Sequence, residues 1–266
     1  MRRPRGLGAD QTEPAAIQVD RVGAVARIRQ VQAVGRPGRE KASDGQRGEL
    51  PFGVELRGAG APVLTDADLP YTMQGLPLDL HADASGSLEF VAERDGIAVS
   101  KRFTFRGDRY EFAANVGLRD VPRDYTEVGV SWFKTVELPA QPGGEVIFDK
   151  ASLVDGRKLI ENPFDALRDG KVFSGDILWV GYAGRHFLSA VVPAEARNQR
   201  LWLKLRDHTV EQTLLFPISG STINLPLNVY IGPKDYEALD RAGHGLSRAV
   251  DLGWFAFIVP SNGQGR

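Results

Sequence analysis

The sequence predicts a mainly β protein, a large antiparallel β-sandwich followed by α-helices at its C-terminal end. Three observations predict it. From Glu49 onward, apolar and polar residues alternate in short runs. Turn residues separate those runs at short intervals. The helical spacing of three and four residues is absent before residue 233. With 266 residues, 42% of them hydrophobic, the chain has enough material to bury a sizeable core.

Residues 1–48 stand apart. They hold ten Arg and Lys against five acidic residues, a net +5 that leaves −6 for the remainder of a chain with overall charge −1. They contain no Phe, Trp or Tyr and read as a basic, disordered leader. Only Ile17–Ile28 alternates, enough for one strand. Basic charge alone suits a nucleic-acid tail, but no aromatic residue is there to stack on bases, so no nucleic-acid partner is expected.

The sandwich is assigned to residues 49–232. Val99, Phe103 and Phe105 fall on one face of a strand, with Ser100, Arg102, Thr104 and Arg106 on the other. After a Gly107-Asp108 turn, Tyr110, Phe112, Ala114, Val116 and Leu118 repeat the pattern, which predicts a hairpin with one dry face. Val128, Val130 and Trp132 share a side of the next strand. "NPFDALRDG" is compatible with one short helical turn. "GDILWVGYAGRHFLSAVVP" reads as two strands around Gly181–Gly184, and "RLWLKLRD" and "TLLFPIS" as two more. Ile223, Leu225, Leu227, Val229 and Ile231 line one face of a last strand. There Pro226 predicts a sheet edge or a bulge, because proline cannot donate to a ladder.

Helical signals begin at Gly232-Pro233 and define a segment 233–260, with 261–266 a polar tail. Proline suits the first helical position, and Asp235 and Glu237 suit the positive end of the helix dipole. Gly243 and Gly245 end or bend this helix. Leu246, Ala249, Val250, Gly253, Trp254, Phe257 and Ile258 then follow the spacing of an apolar helical stripe, which Phe255 widens, while Arg248 lies on the polar side. Two readings are open. The stripe packs on the sandwich as a cap, or it lies in a lipid headgroup region with Trp254 at the interface and Arg248 toward phosphate. The second makes Leu246, Arg248, Val250, Trp254, Phe255, Phe257 and Ile258 membrane-interface residues.

Little else suggests chemistry. The chain has no cysteine, which excludes disulfides and thiolate catalysis. His81, His186, His208 and His244 show no metal-ligand spacing, so neither metal nor cofactor is expected. Ser189 and Ser219 lack a nucleophile elbow. The longest apolar run, near the C-terminus, falls well short of the roughly 20 residues a membrane span needs. No signal-peptide core follows the basic start.

The segment "YIGPKDYEALDRAGHGLSRAVDLGWFAFIVP", together with "VSKRFTFRGDRYEF" and "LWVGYAGRHFLSAVVP", resembles the YidC/Oxa1/Alb3 family of membrane protein insertases, over about residues 49–260. The resemblance implies a periplasmic sandwich of the galactose-mutarotase-like type at the bacterial inner membrane. It implies as partners the Sec translocon and its SecDF subunits, nascent membrane proteins and the bilayer surface. Family members carry an N-terminal anchor, then five transmembrane helices after the position of Pro260, with an arginine-bearing groove implicated in insertion. Those parts have no match here: against the family, residues 1–48 read as a segment translated in another frame or from a wrong start, and this chain alone is expected to be inactive in insertion. The implied fold also raises an alternative, a sugar-binding or mutarotase-like enzyme, for which His186 with Glu195 or Glu211 are the candidate acid–base pair.

Overall fold

In the computed structural model, residues 15–22, 25–32, 52–60, 63–67, 69–75, 78–135, 150–196 and 198–250 are described, the first two ranges as backbone only. The chain begins with β1 (Ala15–Val22) and β2 (Val25–Gln32), paired antiparallel with Val22 opposite Val25. A hairpin thus replaces the single strand expected over Ile17–Ile28. Single-strand alternation carries no sign of where a chain reverses.

Short strands β3 (Gly53–Arg57), β4 (Leu64–Thr65), β5 (Thr72–Gln74) and β6 (Asp79–Leu80) precede the long meander β7 (Ser85–Arg94), β8 (Ile97–Arg106) and β9 (Glu111–Arg119), after which β10 (Glu127–Thr135) joins the other large sheet. The hairpin read from alternation is β8–β9, with Phe105 opposite Phe112 and their rings 4.8 Å apart. Its connection is residues 107–110 rather than two residues, and Tyr110 stands outside the ladder.

Next come β11 (Lys150–Asp155), β12 (Lys158–Pro163) and the 3-10 turn Phe164–Leu167, where a short helical turn was expected. They are followed by β13 (Lys171–Gly175), β14 (Ile177–Ala183), β15 (Phe187–Pro193), β16 (Gln199–Arg206), β17 (Thr209–Pro217) and β18 (Ile223–Pro233).

The strands form a six-stranded sheet in the order β13-β16-β17-β10-β3-β4 and a nine-stranded sheet in the order β12-β11-β14-β15-β18-β9-β8-β7-β5. A small third sheet joins β6 to the N-terminal hairpin. The main core lies between the two large sheets. Val54, Val128, Val130, Leu203 and Leu214 come from one, Phe103, Phe105, Val116, Val180 and Val229 from the other. Two polar ties cross the gap: Tyr182 OH donates to the Val210 carbonyl at 2.7 Å, and the Gln212 side-chain amide to the Gly181 carbonyl at 2.9 Å. Both satisfy groups that would otherwise be buried without partners.

Pro226 is not on a sheet edge. β18 lies between β15 and β9, with Pro226 opposite Asn115. On its other side the β15 ladder ends one residue away, at Pro193 opposite Leu227, and the Pro226 carbonyl accepts from Ala194 N at 3.1 Å. In a strand, N and C=O of one residue point the same way. The missing donor therefore points past the end of β15, and a central strand tolerates the proline.

The nine-stranded sheet is also apolar on its outer face. Val154, Trp179, Leu188, Ala190, Val192 and Tyr230 pack there against Leu239, Leu246 and Ala249 from the C-terminal helical segment. This second core explains why "ILWVGYA" and "SAVVP" lack clean alternation, since those strands are covered on both faces.

Candidate functional site

The site is the latch that the C-terminal segment forms on this outer face. β18 delivers the chain to Pro233, whose carbonyl accepts from Tyr230 OH at 2.7 Å, while Lys234 N donates to His186 O at 2.7 Å. Pro233 is thus the last strand residue and not the first helical one. The helix α1 (Tyr236–Ala242) begins where Asp235 can cap it, its carboxylate accepting from Ala238 N at 3.0 Å. Leu239 is its fully buried contact with the sheet.

Gly243 ends the helix as the sequence suggested. At φ 76° it takes a conformation a side chain would resist, and its amide donates to the carbonyls of Leu239 and Asp240. His244 and Gly245 continue with φ 55° and 70°. This left-handed run lays the Gly245 carbonyl against Trp179, whose indole N–H donates to it at 3.2 Å. A 3-10 turn, Leu246–Ala249, follows, and Arg248 Nη1 donates to the Gly156 carbonyl at 3.2 Å. Val250 is extended, at φ −89° and ψ 115°.

These positions revise the interface reading. Leu246, assigned to a lipid-facing stripe, is 1% exposed and packs beneath the turn against the sheet. Val250 is half-buried against the same cluster. Arg248 is exposed. The helix expected to run on from Leu246 is broken at Val250, because the turn closes around Trp179 and Gly156 instead. Trp254, Phe255, Phe257 and Ile258 lie outside the described residues.

The candidate acid–base pair does not converge. His186 precedes β15 and Glu195 follows it, so they sit at opposite ends of a seven-residue strand, about 25 Å apart. Glu211 belongs to β17 in the other sheet. Among the described residues no cluster of His, Asp and Glu has the makings of a metal site. A small cleft of about 170 Å³ lies beside the latch, bordered by Arg109, Glu111, Tyr230, Arg241, His244 and Leu246.

Two charged groupings were not legible in the sequence. On the outer face of the six-stranded sheet, the Arg57 guanidinium stacks 3.8 Å from the Trp202 ring and pairs with Glu55 at 2.7 Å. Arg200 grips Glu127 through two nitrogens. Burial raises the Glu55 carboxyl above its ordinary range, although Arg57 pulls the other way. Inside the sandwich, Asp66 takes the Lys101 ammonium and the Tyr71 hydroxyl, each at 2.5 Å, and accepts from Val54 N at 2.8 Å. Burial pushes Lys101 below its ordinary range against the pull of Asp66, and holds the Tyr71 phenol protonated.

The family described as the YidC periplasmic domain matches residues 45–260. This chain belongs to that family. Among curated relatives, the YidC membrane protein insertase of Nitratidesulfovibrio vulgaris is 28% identical over 195 residues, covering 71% of this chain and 36% of its own length. That of Geobacter metallireducens is 30% identical over 180 residues, covering 62% of this chain and 32% of its own. The chain therefore spans about a third of the YidC relatives it matches. Among solved structures, a GH36 α-galactosidase from Geobacillus stearothermophilus in complex with raffinose superposes with TM-score 0.52 at 10% identity, covering 86% of this chain and 42% of the other. That likeness shows the fold, a sandwich of the galactose-mutarotase-like type, and nothing of its chemistry. YidC is a family of insertases and not of enzymes. Among the described residues no helix is long and apolar enough to cross a membrane.

Proposed function

We propose that this chain is the periplasmic domain of a bacterial inner-membrane insertase, and that it positions partners and the chain's membrane-leading segment rather than performing insertion. The family match over residues 45–260 carries this reading. The latch supports it. A second apolar core, the Trp179 hydrogen bond and the Arg248 contact seat the segment that leads into Leu252-Gly-Trp-Phe-Ala-Phe-Ile-Val259 at one place on the sheet. In this reading Trp254, Phe255, Phe257 and Ile258 enter the headgroup region, Arg248 remains on the aqueous side, and Leu246 and Val250 anchor the segment to the sandwich. The domain works beside the Sec translocon and SecDF, near nascent membrane proteins.

Fluorescence tests the membrane contact. With Trp202→Phe as background, because Trp202 is exposed, anionic vesicles of phosphatidylglycerol and phosphatidylethanolamine are expected to blue-shift the emission of the chain, and Trp254→Phe to remove the shift, since Trp132 and Trp179 are already buried. A shift that survives Trp254→Phe, or none at all, contradicts the assignment.

A further inference from the structure

The strands under the latch are held by contacts that do not pass through it. β14, β15 and β18 each have a neighbouring strand on both sides, and their inner-face residues Val180, Val191 and Val229 lie in the main core. The latch depends on less. Its buried side chains are Leu239 from α1 and Leu246 and Ala249 from the 3-10 turn. Hydrogen bonds from Trp179 Nε1 to the Gly245 carbonyl and from Arg248 Nη1 to the Gly156 carbonyl, both 3.2 Å, tie it to the strands.

The latch also has little structure of its own to keep. α1 has seven residues, and isolated helices below roughly 12–15 residues are marginal in water. His244 carries a side chain at φ 55°, a left-handed conformation that L residues resist. Away from the sheet, nothing in this segment holds that turn closed.

The surface beneath is shaped. On the outer face Gly181 is opposite Ala190, and Ala190 is opposite Tyr230. Leu188 and Val192 stand on either side of Ala190 along β15, with Trp179 on β14, so small residues form the floor of an apolar furrow. From this asymmetry we infer that residues 235–250 leave the sheet as a unit while both large sheets stay folded, and that the furrow then accepts a second copy of the same segment. The open form is the minor one, because uncovering Trp179, Leu188 and Val192 exposes apolar surface to water. The resident segment defines what the furrow takes: an amphipathic stretch with apolar residues at the spacing of Leu239, Leu246 and Ala249. The inference goes beyond the membrane reading and does not depend on it.

Hydrogen exchange on the full chain tests the opening. The amides of Leu239, Gly243 and Leu246 are hydrogen-bonded within the latch. They are expected to exchange at least a hundredfold faster than those of β8 and β9, at a rate insensitive to low urea, because a local opening exposes little surface. Exchange at the rate and urea dependence of β8 and β9 means that the latch unfolds only with the sandwich, and overturns the inference.

A labelled synthetic peptide of residues 233–250 tests the furrow. Leu239→Ser with Leu246→Ser displaces the resident segment of the full chain. The peptide is expected to bind this variant at least tenfold more tightly than the unaltered chain, as read by fluorescence anisotropy. No binding to the variant, or equal binding to both, overturns the furrow as its site. Loss of β8 and β9 protection in the variant shows that the latch is part of the sandwich fold and overturns the opening as well.

Discussion

Lys101 and Asp66 show how a single buried charge is held inside an apolar sandwich. Both are nearly inaccessible, and each is tolerable only because the other is present with Tyr71 and the Val54 amide. Lys101→Met removes the counter-charge and leaves a buried carboxylate, which is expected to cost about 3–5 kcal/mol. Asp66→Asn combined with Lys101→Met should recover much of that loss, and urea unfolding of the single and double variants measures both. Glu55 gives the opposite kind of test. Its folded pKa is raised from the ordinary 4.5, mainly by burial, so folding favours the protonated form. Stability from this site is therefore retained below pH 4.5 and lost as pH rises through the raised value. Glu55→Gln is expected to raise the melting temperature at pH 7 and to leave it nearly unchanged at pH 4. A lower melting temperature at pH 7 would mean that attraction to Arg57 outweighs desolvation.

At the scale of elements, the latch is a separable layer. Leu246→Ala empties part of the second core and is expected to cost about 2–5 kcal/mol if the latch unfolds together with the sandwich. If it opens locally, hydrogen exchange will show α1 amides losing protection while those of β8 and β9 keep theirs. The same elements show what a single sequence conveys. β8 and β9 were legible because one face is dry and the other wet, so alternation survives in the residues. β14 and β15 were legible as strands, but their second covered face was not, since an apolar run does not say what lies on each side. The segment after Gly245 carries helical spacing, yet that spacing fits a stripe facing a sheet as well as one facing lipid. The hydrogen bonds of Trp179 and Arg248 decide it for Leu246, and they join residues 66 and 92 positions apart. No local pattern encodes such partners, and the same holds for Asp66 with Lys101. Pro226 was misread for a related reason, because only the end point of the neighbouring strand makes a central proline harmless.

For the molecule as a whole, the decisive quantity is the cost of moving charge into lipid. Placing one charged side chain at the centre of a bilayer costs about 2.5–3.5 kcal/mol on insertion scales. Lowering that cost requires polar groups held within the hydrocarbon region. The sandwich buries its polar groups against its own strands, and its described residues include no membrane-crossing helix. In the proposed reading, contact of the apolar run with a lipid surface orders a domain beside the membrane but places no polar surface inside it. This chain, added to vesicles with an insertase-dependent substrate, is accordingly expected to leave protease protection of the substrate at background. Fused ahead of the membrane portion of a YidC relative, it is expected to support insertion, and to do so less well when Leu246→Ala loosens the latch, because the domain then loses its fixed orientation. Substrate protection by the isolated chain would place the polar pathway in the sandwich itself and reverse this division of labour.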